Sequence, residues 1–178
     1  MKPSGKRTHR LPVMLAALML ASPATAFDLD SDTPIKVSAD SARLDDTEGT
    51  AIYTGDVELV QGATQLNAER VVLYRSPEGL SRIEASGEPA RYRQPAREGE
   101  AMTDARARTI TWSAAENRLT FERQAVIEQG NNVFRGDVIQ YDTVRRVVTA
   151  EGGTPSEESS GRVEMVIQPR GSSNLTDE

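Results

Sequence analysis

The sequence predicts an all-β domain, and three observations carry that prediction. Apolar and polar side chains alternate with period two along most of residues 33–167. Turn-forming residues separate the alternating runs. Residues 38–75 also lie over residues 106–143 without a gap, at a constant offset of 68. Short strands at this spacing argue for a sandwich, jelly roll or barrel.

Taken in order, Ile35 and Val37 alternate with Lys36 and Ser38. Tyr53, Val57 and Leu59 share one phase, and Asp56 and Glu58 take the other. Leu66 alternates with Asn67, then Val71-Val72-Leu73-Tyr74 forms a short continuous apolar run. Ile83 and Ala85 precede Gly87, and Ala90 and Tyr92 are flanked by Arg91 and Arg93. Ile110 and Trp112, Leu119 and Phe121, and then Ile127, Phe134, Ile139 and Tyr141 continue the habit. Val147-Val148 and Val163 to Ile167 complete it. Turns are expected at 45–49, 61–62, 76–79, Gly87-Glu88-Pro89, 116–117, 129–132 and 151–155, where Gly, Pro, Asn and Asp supply the backbone angles of reversals. The soft stretch Gln94 to Asp104 reads as the connection between the repeats, and no helix is expected beyond residue 26.

Within the repeat the apolar positions keep their type. Leu44 meets Trp112, Tyr53 meets Phe121, Leu59 meets Ile127, Leu66 meets Phe134, Val71 meets Ile139 and Leu73 meets Tyr141. Gln61-Gly62 recurs as Gln129-Gly130. One supersecondary unit used twice stacks on its copy to bury a shared apolar face.

Residues 1–26 read as an export signal. Lys2, Lys6, Arg7 and Arg10 precede the apolar run Leu11 to Ala21, and Ala24 and Ala26 place small residues where a signal peptidase cuts. The run is shorter than the roughly 20 residues a spanning helix needs. No arginine pair precedes it, which points to general secretion. The mature chain would begin at Phe27 and form one domain over 27–170, with a polar, disordered tail at 171–178. It would be exported and soluble.

Composition excludes several chemistries. The sequence has no Cys, and its one histidine, His9, lies in the signal. Zinc sites of the His/Cys kind and His-dependent nucleophiles are therefore out. Without the four basic signal residues, 17 basic face 27 acidic side chains, a poor nucleic-acid binder. Asp45-Asp46 and Glu157-Glu158 are adjacent acids in turn-like surroundings, not two carboxylates facing one cleft. The apolar strand faces either fill a core or line a groove wide enough for acyl chains; alternation alone does not separate the two. A glycan-active enzyme and a plain structural β-scaffold stand as alternatives to a lipid-binding protein.

Several phrases resemble the LptA family of periplasmic lipopolysaccharide transport proteins, with its OstA-like domain. They are Thr33 to Asp40, Tyr53-Thr54-Gly55-Asp56-Val57, Gln61-Gly62, Asn67 to Val71, Gly136 to Tyr141 and Arg162 to Ile167, and the likeness spans roughly residues 33–170. It implies an open, twisted β-jelly roll of antiparallel strands built from two similar halves, and no enzyme. It also implies lipid A acyl chains in the interior, an LptC-like inner-membrane-anchored partner and an LptD-like outer-membrane partner. Family positions that face lipid fall near Ile35, Tyr92, Trp112 and Ala114. The same apolar phase adds Val37, Leu44, Tyr53, Leu59, Leu66, Leu73, Ile110, Phe121, Phe134 and Tyr141. End-to-end assembly with partners or copies would use two terminal strands. One offers Ile35, Lys36, Val37 and Ser38; the other offers Val163, Met165, Val166 and Ile167. The second copy has Glu122-Arg123-Gln124 where the first has Thr54-Gly55-Asp56, so its turn is expected to differ in shape.

Overall fold

The computed structural model describes Phe27 and residues 33–96, 101–145, 147–155 and 161–167. The export signal, with Ala24 and Ala26, and the tail from 171 lie outside the described residues. Ten strands make one antiparallel sheet: β1 (Ile35–Ser38), β2 (Ser41–Asp45), β3 (Thr50–Gln61), β4 (Thr64–Ser76), β5 (Gly79–Gln94), β6 (Thr103–Ser113), β7 (Arg118–Gln129), β8 (Asn132–Asp142), β9 (Val147–Glu151) and β10 (Glu164–Val166). No helix occurs among the described residues. The order is β1-β3-β4-β5-β6-β7-β8-β10, with β2 also on β3 and β9 also on β8. The sheet stays open, because β1 and β2 end one side and β9 and β10 the other.

The repeat is physical. Each cross-strand pair that β3 makes with β1, β2 and β4 recurs 68 residues later between β7 and its neighbours β6 and β8. Ile35↔Gln61 becomes Thr103↔Gln129, Leu44↔Ala51 becomes Trp112↔Leu119, and Leu59↔Leu66 becomes Ile127↔Phe134. The one long strand β6 of the second copy is two short strands in the first, broken at Ala39 and Asp40.

A line of register shifts crosses the sheet. It runs between Thr54 and Val57, Asn67 and Arg70, Ser86 and Ala90, Arg106 and Thr109, and Glu122 and Ala125. Bulges bend strands and increase their twist. Aligned on five neighbours, they fold the sheet into two halves whose inner faces meet. Tyr92 of one half packs edge-on to Phe121 of the other, with ring centres 6.3 Å apart.

Two expected turns come out differently. Gly87-Glu88-Pro89 does not reverse the chain; it is a bulge inside the 16-residue strand β5, with a cis bond before Pro89. Gly and Pro mark both turns and bulges, so composition misread a bend as a reversal. The second copy's 122–124 segment is also not differently shaped. Arg123 and Gln124 take φ of 64° and 57°, the left-handed region that Gly55 and Asp56 use at 82° and 41°. The ladder imposes the kink on whichever residues stand there. In the first copy Asp40 packs over Gly55, leaving no room for a Cβ, and its N–H donates to the Gly55 carbonyl at 2.9 Å. In the second, Arg123 donates to Thr109 Oγ1 at 2.6 Å.

Candidate functional site

Residues directly opposite on paired strands share a face, so the pairing registers write the interior as rows that cross the sheet. In the half that holds β2 and β9, one row is Leu44, Ala51, Leu73, Ile83, Trp112, Leu119, Tyr141 and Val148. Its neighbour is Ala42, Tyr53, Val71, Ala85, Ile110, Phe121, Ile139 and Ala150. In the half that holds β1 and β10, the middle row is Val37, Leu59, Leu66, Tyr92, Ala105, Ile127, Phe134 and Met165. Each row is apolar from one edge of the sheet to the other.

Thirteen of the fourteen sequence-expected lining residues therefore point inward, including Ile35, one row beyond Val37. The fourteenth, Ala114, follows β6 and packs partly buried against the core. Central members are closed off: Leu59, Leu66, Tyr92 and Phe121 are at most 1% exposed. Edge members are open, as Leu44 is 62% exposed and Met165 49%. The interior is thus packed at the middle of the sheet and open at its ends.

Small residues line the fold between the halves. Val57, Ala90, Ala107 and Ala125 are buried there, with Ala68 and Gly136 half-buried beside them. Their size lets the two half-sheets approach. A narrow apolar cleft of about 20 Å³, little more than one water, lies between Phe121, Ile127, Phe134, Tyr141 and Val148. No buried side-chain polar atom lacks a hydrogen bond among the described residues.

Sequence reasoning placed Phe27 after the signal and counted it among the few aromatics, but not among the lining residues. The structure puts its ring, 2% exposed, between Tyr92 and Trp112, with centres 6.0 and 6.1 Å away in edge-on geometry. An aromatic residue just past the signal, in a chain with so few, was the available hint.

The outer face is charged. Ion pairs such as Arg82–Glu84 (2.6 Å), Arg93–Asp104 (3.2 Å) and Arg106–Glu128 (3.3 Å) join side chains that keep water access. Such exposed pairs contribute on the order of 0–1 kcal/mol each. They hold the fold weakly and keep the outside wet. No cluster of three or more His, Asp or Glu side chains that could hold a metal ion occurs among the described residues, and no helix there is long and apolar enough to cross a membrane.

At the sheet's two ends, Ile35, Lys36, Val37 and Ser38 form β1, which has a strand partner on one side only. At the other end β10 pairs with β8, through Met165↔Phe134 and Val166↔Val133, and its outer edge faces away from the sheet. Val163, Met165, Val166 and Ile167 are 39–64% exposed.

Residues 36–147 match the family described as LptA/(LptD N-terminal domain) LPS transport protein. The lipopolysaccharide export system protein LptH of Pseudomonas aeruginosa is 39% identical over 167 residues, which is 91% of this chain and 95% of that protein. The lipopolysaccharide export system protein LptA of Escherichia coli K12 is 30% identical over 135 residues, 74% of this chain and 72% of its own length. The crystal structure of LptH, the LptA homologous periplasmic component of the lipopolysaccharide transport device of Pseudomonas aeruginosa, superposes with a TM-score of 0.69. It is 40% identical and covers 77% of this chain and 96% of that one.

Proposed function

The chain belongs to the LptA/(LptD N-terminal domain) family of LPS transport proteins, and from that premise we propose that it is a non-enzymatic periplasmic carrier of lipopolysaccharide. The acyl chains of lipid A lie between the two half-sheets, against the apolar rows. One observation carries this reading: the rows cross every strand without a charged residue, so an acyl chain meets apolar surface from β1 and β2 through to β9 and β10. A carrier needs such a path, whereas a filled structural core has no reason to reach both edges. Ile35, Val37, Leu44, Tyr53, Leu59, Leu66, Leu73, Tyr92, Ile110, Trp112, Ala114, Phe121, Phe134 and Tyr141 are the proposed contacts.

The open ends join to like domains. An edge strand presents backbone donors and acceptors that recruit another strand. We assign β1 to one joint and the segment Val163–Ile167 to the other. The partners are an LptC-like protein anchored in the inner membrane, an LptD-like protein in the outer membrane, and further copies of this chain. The signal directs export, and cleavage after Ala26 then frees a soluble domain into the periplasm.

Trp112 is the chain's sole tryptophan and lies 5% exposed in an interior row, so its emission tests the reading. Titration with intact lipopolysaccharide should change the emission saturably. The deacylated saccharide, which has the same sugars without the tails, should leave it unchanged. An equal response to both would count against carriage of acyl chains in the interior.

A further inference from the structure

The two halves of the interior end differently at their rims. In the half of β2 and β9, the outermost row is apolar, from Leu44 to Val148. In the half of β1 and β10, one more row lies beyond the Val37–Met165 row, and it is polar on six consecutive strands: Gln61, Thr64, Gln94, Thr103, Gln129 and Asn132. Gln61 pairs with Thr64, Gln94 with Thr103, Thr103 with Gln129, and Gln129 with Asn132. The Gln65↔Arg93 register, continued by one residue, sets Thr64 opposite Gln94. None of the six is charged.

We propose that this row is a hydrogen-bonding rail for the neutral polar groups at the junction of acyl chain and sugar: amide and ester carbonyls and chain hydroxyls. The proposal rests on the lipid-carriage reading above and says where along the molecule the headgroup begins. Nearness to water alone does not explain the row, because Gln61 and Thr64 are polar although they are only 7% and 1% exposed. Charge does not explain it either, since phosphates would call for Arg or Lys, and strand arginines such as Arg82, Arg93 and Arg106 stand on the outer face. Glutamine and threonine both donate and accept, which suits carbonyls and hydroxyls alike.

The placement fits. Gln94, Thr103 and Gln129 border the same cleft that Phe121, Ile127 and Phe134 wall. An acyl chain that parts the half-sheets at that cleft would have its tail on the apolar rows and its junction at the rail. Gln129 Nε2 donates to Thr103 Oγ1 at 3.3 Å, and Tyr92 Oη donates to Gln94 Oε1 at 3.0 Å. The side chains are thus held at the rim. Five strand spacings of about 4.8 Å make the rail roughly 24 Å long. It spans β3 to β8 and meets Ile35 at the β1 edge; its partly exposed members, Gln94, Thr103, Gln129 and Asn132, are the ones among which a lipid can exchange partners.

The test uses the full mature chain with Thr103→Val and Gln129→Leu together. These remove both members of one hydrogen-bonded pair and substitute apolar groups of similar shape, a change that leaves a fold nearly unaltered. Two probes are titrated: intact lipopolysaccharide, and an alkylpyrene, which has an apolar tail and no junction. Affinity for lipopolysaccharide should fall about tenfold, the size of two modest net hydrogen bonds. Affinity for the alkylpyrene should not change. Undiminished lipopolysaccharide binding would overturn the rail, and so would equal loss of both probes in a protein that melts normally. If this variant melts early, the isosteric Thr103→Val alone is titrated with the same two probes, and a smaller loss confined to lipopolysaccharide is expected. Failure of the unaltered protein to bind lipopolysaccharide while it binds alkylpyrene would fell the carriage reading itself, and the rail with it.

Discussion

Gly55→Ala probes the bend that makes two half-sheets out of one. At Gly55 φ is +82°, and an added Cβ would collide with the side chain of Asp40. A left-handed conformation costs a non-glycine residue roughly 1–2 kcal/mol. Moving Asp40 also disturbs its N–H bond to the Gly55 carbonyl at 2.9 Å, worth about 1 kcal/mol. Alanine returns about 0.4–1 kcal/mol by restricting the unfolded chain. The net loss is about 2 kcal/mol, or roughly 4–8 °C in Tm for a domain of this size. Arg123→Gly is the control at the equivalent position. There the strain is relieved, while the bond to Thr109 and some unfolded-state restriction are lost. Those effects largely cancel, leaving a loss of about 1 kcal/mol or less. Urea unfolding of both variants measures the difference. Equal stability of Gly55→Ala and the unaltered protein would refute the argument that glycine is required there, and with it the reading of the bulge line as a constrained hinge.

Val166→Pro removes a backbone donor from β10; oligomers seen by size exclusion at rising concentration should disappear while the circular dichroism stays that of a β protein. Unchanged oligomers in a folded variant would remove the Val163–Ile167 segment as a joint. Trp112→Asp places a carboxylate in an apolar row, which is costly to desolvate; both melting temperature and lipid capture should fall, and retention of either would argue against the interior placement. Mass spectrometry of periplasmic material should give a mature chain beginning at Phe27, and any other start would move the cleavage site.

Much of the fold is written in the alternation, because the side-chain period of a strand decides its face. The apolar phase placed Leu59, Tyr92, Trp112 and Phe121 on one interior, and a one-residue slip would have turned any of them outward. The repeat carried the register itself, since matched turns at Gln61-Gly62 and Gln129-Gly130 force matched pairing. What was not legible depends on neighbours distant in sequence. Gly87-Glu88-Pro89 is a bulge because strands on both sides continue through it. Arg123 and Gln124 adopt glycine-like angles because β6 and β8 hold the kink. Phe27 finds its place only once Tyr92 and Trp112 have come together. The rail was hidden because Gln61 and Gln129 stand beside turn glycines and read as turn residues. Only the pairing shows them, with Gln94 and Thr103, in one inward row.

The central claim, that acyl chains occupy the inner face of the folded sheet, is tested most directly by site-specific photo-crosslinking at two adjacent residues of β6. Trp112 lies on the inner face in the row with Ile83 and Leu119, while Thr111 pairs with Glu84 and Thr120 on the outer face. Successive strand residues point to opposite faces, so the two positions differ in little else. A crosslinker at 112 should capture lipopolysaccharide and one at 111 should not; equal capture at both, or capture at 111 alone, would contradict the account.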